Sequence, residues 1–521
     1  MNTSNFVGIP AQMFPDQEIL VFEDRRLTYG ELWTAVRRLG NALRRLGVQA
    51  GDRVGALHTN CDAYIAAYYA AAATGAVFVP LNYRAKPPEL EYMIDAAGIG
   101  VLLVGSRYLG LVAELRPRLA SLRTVVAVDS AQPGLPLLDD LIAAESEEFE
   151  ESPVDDDDTT ILMYTSGTTS RPKGVMLTHN DFTAYVCGTV ELADGTPRGT
   201  ALLSAPLYHI AGTTNIMTAL FAGRRIVVLP QFDATAWLDA VAREGVTHAF
   251  LVPTMMKQII DHPEFGRYDL SSLQNLSYGG AAMPFPVIRR AIEVFPASVG
   301  FVNAFGQTET TSTLTVLGPE DHRLDGPADE VERNLKRLLS IGQPLPDVEV
   351  KVVDDNGVAL PAGQVGELWV STPRTMKGYA AEGGGVSSPA QEGWLPTRDM
   401  GWIDADGYIF LAGRKDDMII RGGENISPAE VEAVLYSHTG VEEAAVIGVP
   451  DVEWGQRVAA VVVSRPGVRL DEAELTEFCR QRLASFKKPE VFHFVDALPK
   501  NQMGKVLKKD LRAQLAGEPG S

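Results

Sequence analysis

Residues 164–174, Tyr-Thr-Ser-Gly-Thr-Thr-Ser-Arg-Pro-Lys-Gly, put small residues, hydroxyls and two cations into one loop. Small residues let successive backbone N–H groups converge on an anion. The hydroxyls of Thr165, Ser166, Thr168 and Thr169 beside Gly167 add donors, and Arg171 and Lys173 add positive charge. The chemistry this suits is the holding of a nucleotide polyphosphate. The loop is not the G-x-x-x-x-G-K-[ST] run that opens a helix, because Pro172 precedes the lysine and Gly174 follows it. Apolar stretches at 160–163 and 175–177 read as strands. The loop is therefore expected to join two strands and close over phosphates as a flap. Taken alone, it also reads as a flexible surface turn.

Other residues could complete such a site. Asn303-Ala304-Phe305-Gly306-Gln307-Thr308-Glu309 follows a strand-like stretch at 299–302, and open α/β sheets bind ligands at the carboxyl ends of strands. Thr308 and Glu309 there could hold a phosphate oxygen and Mg²⁺, which prefers oxygen ligands shared with phosphates. Phe305 offers a face to a purine, and Tyr278-Gly279-Gly280-Ala281-Ala282 offers close backbone; each also reads as a tight turn. Asp399 reads either as a bidentate acceptor for two ribose hydroxyls or as the cap of a turn. His209, between apolar segments, reads as a pocket wall rather than a proton carrier. Lys505, in a polar turn after Gly504, reads in isolation as a surface lysine. The acidic run 155–158 reads as a solvated linker rather than a metal site, and 328–337 as a helix-prone surface insertion without chemistry.

These residues need a scaffold. A chain of 521 residues implies more than one domain. Its 45% hydrophobic and 22% charged content fits a soluble globular protein. A net charge of −21 argues against broad binding to nucleic acid or anionic membrane, while leaving room for a local basic loop. Cys61, Cys187 and Cys479 make neither a disulfide framework nor a zinc pattern, so a cytoplasmic location is expected. No signal pattern opens the chain, and no apolar run reaches membrane-spanning length. A helix at 28–46 is expected to open on a capping box of Thr28 and Glu31. A strand at 53–57, a helix at 61–72 and strands at 76–80, 201–204, 225–229 and 248–251 follow. Such alternation predicts parallel sheets with helices on both faces. Short glycine-punctuated strands at 348–353, 366–370 and 408–411 suggest a small antiparallel unit. After Gly413 a compact α+β unit is expected. Its first helix is opened by Ser427-Pro428-Ala429-Glu430. Strands at 443–449 and 457–463, a helix at 471–483 and a strand at 490–495 follow.

In their order, several motifs together resemble the adenylate-forming superfamily, which includes acyl-CoA synthetases, peptide-synthetase adenylation domains and firefly luciferase. They are the 164–174 loop, 303–309, Gly366-Glu367-Leu368, the Asp399 turn, Gly413-Arg414-Lys415-Asp416-Asp417, Arg421-Gly422-Gly423-Glu424-Asn425 and 499–505. The likeness runs over essentially the whole chain. The Gly-Gly-Glu-Asn-Ile-Ser-Pro run is most similar to fatty acyl-CoA and 4-coumarate-type CoA ligases. The resemblance implies an N-terminal domain (1–415) of two doubly wound sheets plus a small β-barrel-like unit, and a mobile α+β C-terminal domain (416–521). It implies an α/β enzyme that joins a carboxylic acid to ATP as acyl-adenylate, releasing pyrophosphate, and then transfers the acyl group to CoA. By similarity, Glu309 and Thr168 would hold Mg²⁺, and Thr308 would touch the α-phosphate. Residues 165–169 and Lys173 would hold the β- and γ-phosphates, and Asp399 and Arg414 the ribose. Gly280, Ala281, Asn303 and Phe305 would frame the adenine. Lys505 would bridge the substrate carboxylate and α-phosphate. Asp416 would be the hinge that swings Gly422 and Gly423 toward the CoA thiol's tunnel. His209, Ile210, Thr213, Thr214, Gly279, Gly280, Gly306 and Thr310 would shape the acyl pocket, with His209 also counted among the catalytic-site residues. The acid is expected to be fatty, cyclic or aromatic, and the likeness is compatible with a homodimer.

The chain departs from the common pattern at Ser170 and Arg398, where glycine is usual, and at Phe305, where tyrosine is frequent. No charged group is lost. Two alternatives stand beside the CoA ligase. One is an acyl-AMP ligase serving a carrier protein; its usual extra insertion is not evident, and no carrier domain is expected after residue 515. The other is a catalytically silent nucleotide-binding protein, which the presence of Lys173, Glu309, Asp399 and Lys505 disfavours.

Overall fold

The computed structural model describes residues 1–165, 171–381, 385–500 and 505–516. The roles expected for Ser166, Gly167, Thr168 and Thr169 therefore fall outside the described residues.

Two large sheets share one core. In the eight-stranded sheet, Val77–Pro80, Arg53–Leu57, Ile99–Val104 and Thr124–Ala127 run parallel. Every residue of Ile99–Val104 is buried, as a strand covered on both faces requires. In the nine-stranded sheet, Glu18–Phe22, Arg225–Val228, Thr200–Leu203, His248–Leu251, Asn275–Gly279 and Gly300–Gln307 run parallel, and Ser312–Leu317 returns antiparallel. The alanine-rich helix Asp62–Ala73 is buried along almost its whole length. A helix apolar on every side belongs in an interior. Its Ala67 and Ala71 pack in one cluster with Val54 and Phe78 of the first sheet and Leu20 and Ile226 of the second. The expected capping box is present: Thr28 Oγ1 accepts from Glu31 N–H, and Glu31 accepts from Thr28 N–H at 2.8 Å.

The small β unit is a four-stranded antiparallel sheet of Glu349–Val353, Gly366–Ser371, Leu395–Ile403 and Ile409–Arg414. Beyond it, Val441–Asp451, Gly455–Ser464 and Val491–Phe494 form a three-stranded sheet under helices Pro428–Tyr436 and Glu472–Arg480. These elements have a core of their own, with Ile419, Val431, Leu435, Val446 and Val458 fully buried in it. The helix expected at 471–483 is shorter, Glu472–Arg480. The hairpin Ile419–Arg421/Glu424–Ile426 was not foreseen from the Gly-Gly motif, which reads as loop because each strand is only three residues long. Among the described residues no helix is long and apolar enough to cross a membrane.

Candidate active site

The strands that flank the loop, Thr159–Thr165 and Lys173–Thr178, run antiparallel, with Thr165 opposite Lys173. A further strand, Gly378–Ala380, pairs with Val175 and Met176 and brings Tyr379 to the site. The Lys173 ammonium lies 4.9 Å from the Tyr379 ring centre, and the Tyr379 hydroxyl donates to Glu309 Oε1 at 2.9 Å. Tyr379 thus ties Lys173 to the carboxylate just beyond Gly300–Gln307. Sequence reasoning passed over it, because a lone tyrosine in Lys377-Gly378-Tyr379 carries no motif.

Asp399 and Arg414 face each other across adjacent strands. Arg414 Nε lies 2.9 Å from Asp399 Oδ1, and Gln307 Nε2 donates to Oδ2 at 2.7 Å. Gln307 also donates to Thr397 O at 3.0 Å, which makes it the brace between the Glu309 strand and the Asp399 turn. Asp399 is 5% exposed. Burial raises its pKa, and the charges of Arg414 and Lys505 oppose that rise. A buried carboxylate beside a guanidinium, with lone pairs to spare, can accept vicinal hydroxyls in a fixed geometry.

Glycines bring backbone close to this ground. A Cβ at Gly279 would fall 2.1 Å from Ala304 O, and one at Gly306 1.7 Å from Ser312 O. Gly280 has φ 77° and leads into Ala281. Asn303 Nδ2 donates to Ser340 O at 3.4 Å, and Phe305 is half-buried on the same strand. Thr308 and Glu309 occupy one short 3₁₀ turn, followed by Thr311 and Ser312 at φ 50° and 86°. Residues held in the left-handed region persist where their surroundings over-determine them. Here the fully buried Arg374 donates to Thr310 O at 3.0 Å and pairs with Asp347 at 2.6 Å.

His209 caps the helix Ile210–Ala222 with its backbone, and its ring lies 4.5 Å from that of Tyr208. Burial pushes its pKa down to about 4, so the ring is neutral near pH 7 and suits a wall better than a proton carrier. Thr213 Oγ1 donates to Leu207 O at 2.9 Å, and Thr214 Oγ1 to Ser312 Oγ at 3.1 Å. Thr214 therefore links this helix to the strand whose Ser312 backs Gly306. The buried Thr310 hydrogen-bonds Gln307 through its side chain, so it braces the turn.

Lys505 comes from the C-terminal unit. Although its side chain is exposed, desolvation and the Arg414 guanidinium hold its pKa below the usual lysine range, while Asp399 and Asp417 pull the other way. Lys505, Asp399 and Arg414 are therefore gathered in one place. Gly422 and Gly423, with φ 57° and 88°, form the tip of the hairpin on the same unit. The ring of Trp454, itself 46% exposed, lies 2.9 Å from where a Gly422 Cβ would sit. The exposed Phe486 is nearby, its carbonyl accepting from Arg421 at 3.0 Å.

Glu309 stands without a ready-made metal cage, since no group of three His, Cys, Asp or Glu residues among the described ones could hold an ion. One hard carboxylate, tied through Tyr379 to Lys173, fits Mg²⁺, which takes one or two carboxylates and fills its shell with phosphate oxygens and water.

Residues 9–380 match the model of the AMP-binding enzyme family, and residues 430–505 that of the AMP-binding enzyme C-terminal domain. The chain belongs to the AMP-binding enzyme family, the adenylate-forming superfamily. It is 37% identical over 503 residues to a feruloyl-CoA synthase of Amycolatopsis sp, covering 96% of each chain. It is 33% identical over 516 residues to the fatty acid–[acyl-carrier-protein] ligase ScoC of Streptomyces coeruleorubidus, covering 98% of this chain and 95% of ScoC. Among solved structures, the anthranilate CoA ligase AuaEII in complex with anthranoyl-AMP superposes with a TM-score of 0.86 at 28% identity, over 99% of this chain and 98% of that one. The protein is thus an AMP-forming acid–thiol ligase: it activates a carboxylic acid with ATP and passes the acyl group on as a thioester.

Proposed function

We propose that this enzyme makes CoA thioesters of aryl or arylpropenoic acids. The observation that carries the reading is the His209 ring, packed 4.5 Å from that of Tyr208 at the start of a helix that Thr214–Ser312 ties to the strand behind Gly306. A flat wall on a helix tied to close-set backbone favours a planar acyl group. The feruloyl-CoA synthase and anthranilate ligase relatives act on such acids, which supports the reading.

The residues divide the chemistry as follows. Asp399, braced by Gln307 and Arg414, accepts the ribose hydroxyls. Asn303, Phe305, Gly280 and Ala281 frame the adenine. Lys173 and the 165–169 loop hold the pyrophosphate portion, with Thr308 at the α-phosphate. Glu309, oriented by Tyr379, would hold Mg²⁺ together with Thr168; when bound, the ion supplies charge neutralisation at the phosphates. Lys505 brings its ammonium between the substrate carboxylate and the α-phosphate, so that two anions can meet in a site with preorganised positive charge. After pyrophosphate leaves, the unit beyond Asp416 turns and presents the Gly422–Gly423 hairpin to the CoA arm. Trp454 and Phe486, exposed beside that hairpin, offer stacking faces to the nucleotide end of CoA.

Pyrophosphate release over a panel of carboxylic acids, with products identified by mass, tests the reading. Cinnamic and benzoic acids are expected to give acyl-AMP without CoA and acyl-CoA with it. A panel in which only long-chain fatty acids react, or in which only an acyl carrier protein accepts the acyl group, would favour the ScoC-like alternative. Trp454→Ala should raise KM for CoA and leave acid-dependent pyrophosphate release unchanged.

A further inference from the structure

Arg398 sits in the ribose turn at φ 63°, a backbone region open to glycine and costly for other residues. Its guanidinium pairs with Asp416. Nε donates to Asp416 Oδ2 at 3.2 Å, and Nη2 pairs with Oδ1 of the same carboxylate, a two-pronged contact that fixes orientation as well as distance. Asp416 lies in the short turn Lys415–Asp417, where the chain leaves the four-stranded sheet. The neighbours of Asp416 are tied to opposite bodies. Lys415 pairs with Glu367 of that sheet at 3.1 Å, and Asp417 with Arg512 of the C-terminal helix at 2.7 Å. A second ion pair crosses between the bodies, Lys257 to Glu442 at 2.8 Å. All of these contacts exist in the pose that gathers Lys505 with Asp399 and Arg414.

We propose that Arg398 is a positioning residue that latches the hinge. Its ion pair with Asp416 holds the C-terminal unit in the adenylate-forming pose, and the pair opens when that unit turns to present the Gly422–Gly423 hairpin. The proposal rests on the two-pose reading above. A turn about the backbone of Asp416 carries its carboxylate away from a guanidinium anchored in the other body. The partners are 55% and 30% exposed, so water screens the pair and takes over its hydrogen bonds when it opens. Exposed pairs of this kind shift an equilibrium by about two- to fivefold, enough to favour one pose without stalling the other.

The test separates the half-reactions. In single turnovers of the full chain, R398G is expected to speed thioester formation from supplied acyl-adenylate and CoA by about two- to fivefold. Distortion of the ribose turn alone would slow catalysis, so acceleration is the diagnostic sign. Asp416→Asn, which removes the carboxylate charge and leaves Arg398 in place, should accelerate the same step, and the double variant should be no faster than either single one. An unchanged or slower thioester step in both single variants overturns the latch. A second arm needs no CoA. With Cys187 replaced by serine, the oxidation rate of a cysteine pair placed at 257 and 442 reads the pose directly. Slower cross-linking in R398G supports the latch, and an unchanged rate overturns it. Wild-type enzyme that forms acyl-AMP but no acyl-CoA would defeat the choice of acceptor, while the cross-linking arm still judges the latch.

Discussion

At the scale of the residue, the site sets two positive charges, Lys505 and Arg414, close together beside Asp399. Lys505 stands near Asp399 and Arg414, so its ammonium is held below its usual pKa by desolvation and by a like charge. In the proposed reaction, incoming carboxylate and phosphate would relieve that repulsion, most where negative charge gathers in the transition state. Lys505→Ala should therefore lower the rate of acyl-adenylate formation by at least about 10²-fold, the scale on which single stabilising donors act. It should leave thioester formation from supplied acyl-adenylate nearly intact; single-turnover assays of each half-reaction check this. Tyr379 is a smaller contributor. Tyr379→Phe removes the donor to Glu309 but keeps the ring over Lys173, so the expected outcome is a higher Mg²⁺ requirement with little change in stability, read by titrating Mg²⁺ in the pyrophosphate assay.

At the scale of the element, two strand ends and one buried arginine carry the precision. Gly306 allows its strand to run against Ser312 O at a distance no side chain tolerates. Gly306→Ala must move the strand that bears Gln307 and leads to Glu309, and a misplacement of about 1 Å can cost about 10²-fold in rate. The prediction is a loss of that size in kcat for pyrophosphate release, with the ATP-free protein still folded by circular dichroism. Arg374 holds the carbonyl of Thr310 from the interior. Asp347 is exposed and water can take over its half of the pair, so Arg374→Ala chiefly strands the Thr310 carbonyl and should destabilise the protein by about 1–3 kcal/mol, measurable by urea unfolding. Motif glycines, the capping box and the strands around the polyphosphate loop were legible in the sequence because each obeys a local rule. Tyr379, Gln307 and Arg374 were not assigned roles, because theirs exist only after chain segments far apart meet: Tyr379 and Glu309 are 70 positions apart, and Gln307 and Asp399 are 92. The hairpin that bears Gly422 and Gly423 was hidden for another reason. Its strands are too short to show a period-two pattern.

At the scale of the whole molecule, burial sets the pH response. His179, His209, His248 and His322 are all pushed down to about 4, below the ~6.5 of an unfolded histidine. Between those limits the unfolded chain binds more protons than the folded one, so stability falls as pH drops from about 6.5 towards 4. Asp181, pushed up to about 6, works in the opposite direction from about 6 down to its unfolded value near 3.9 and offsets part of one histidine. Tm measured from pH 7.5 to 5 should therefore decline; a rising Tm would show that these rings are not buried neutral.

The large α/β body and the smaller unit after Gly413 could be read from the alternation of strand and helix patterns, whereas the packing of two sheets on Asp62–Ala73 could not. That helix reads as alanine-rich in either an exposed or a buried setting, and only its tertiary neighbours decide.

The central claim is that the carboxylate oxygen attacks the α-phosphorus and departs with AMP. Turnover of an acid labelled with ¹⁸O in its carboxylate, in the presence of ATP and CoA, tests it most directly. AMP carrying one ¹⁸O, unlabelled pyrophosphate and acyl-CoA that keeps the other label are expected. Label in inorganic phosphate, with ADP as the nucleotide product, would contradict it.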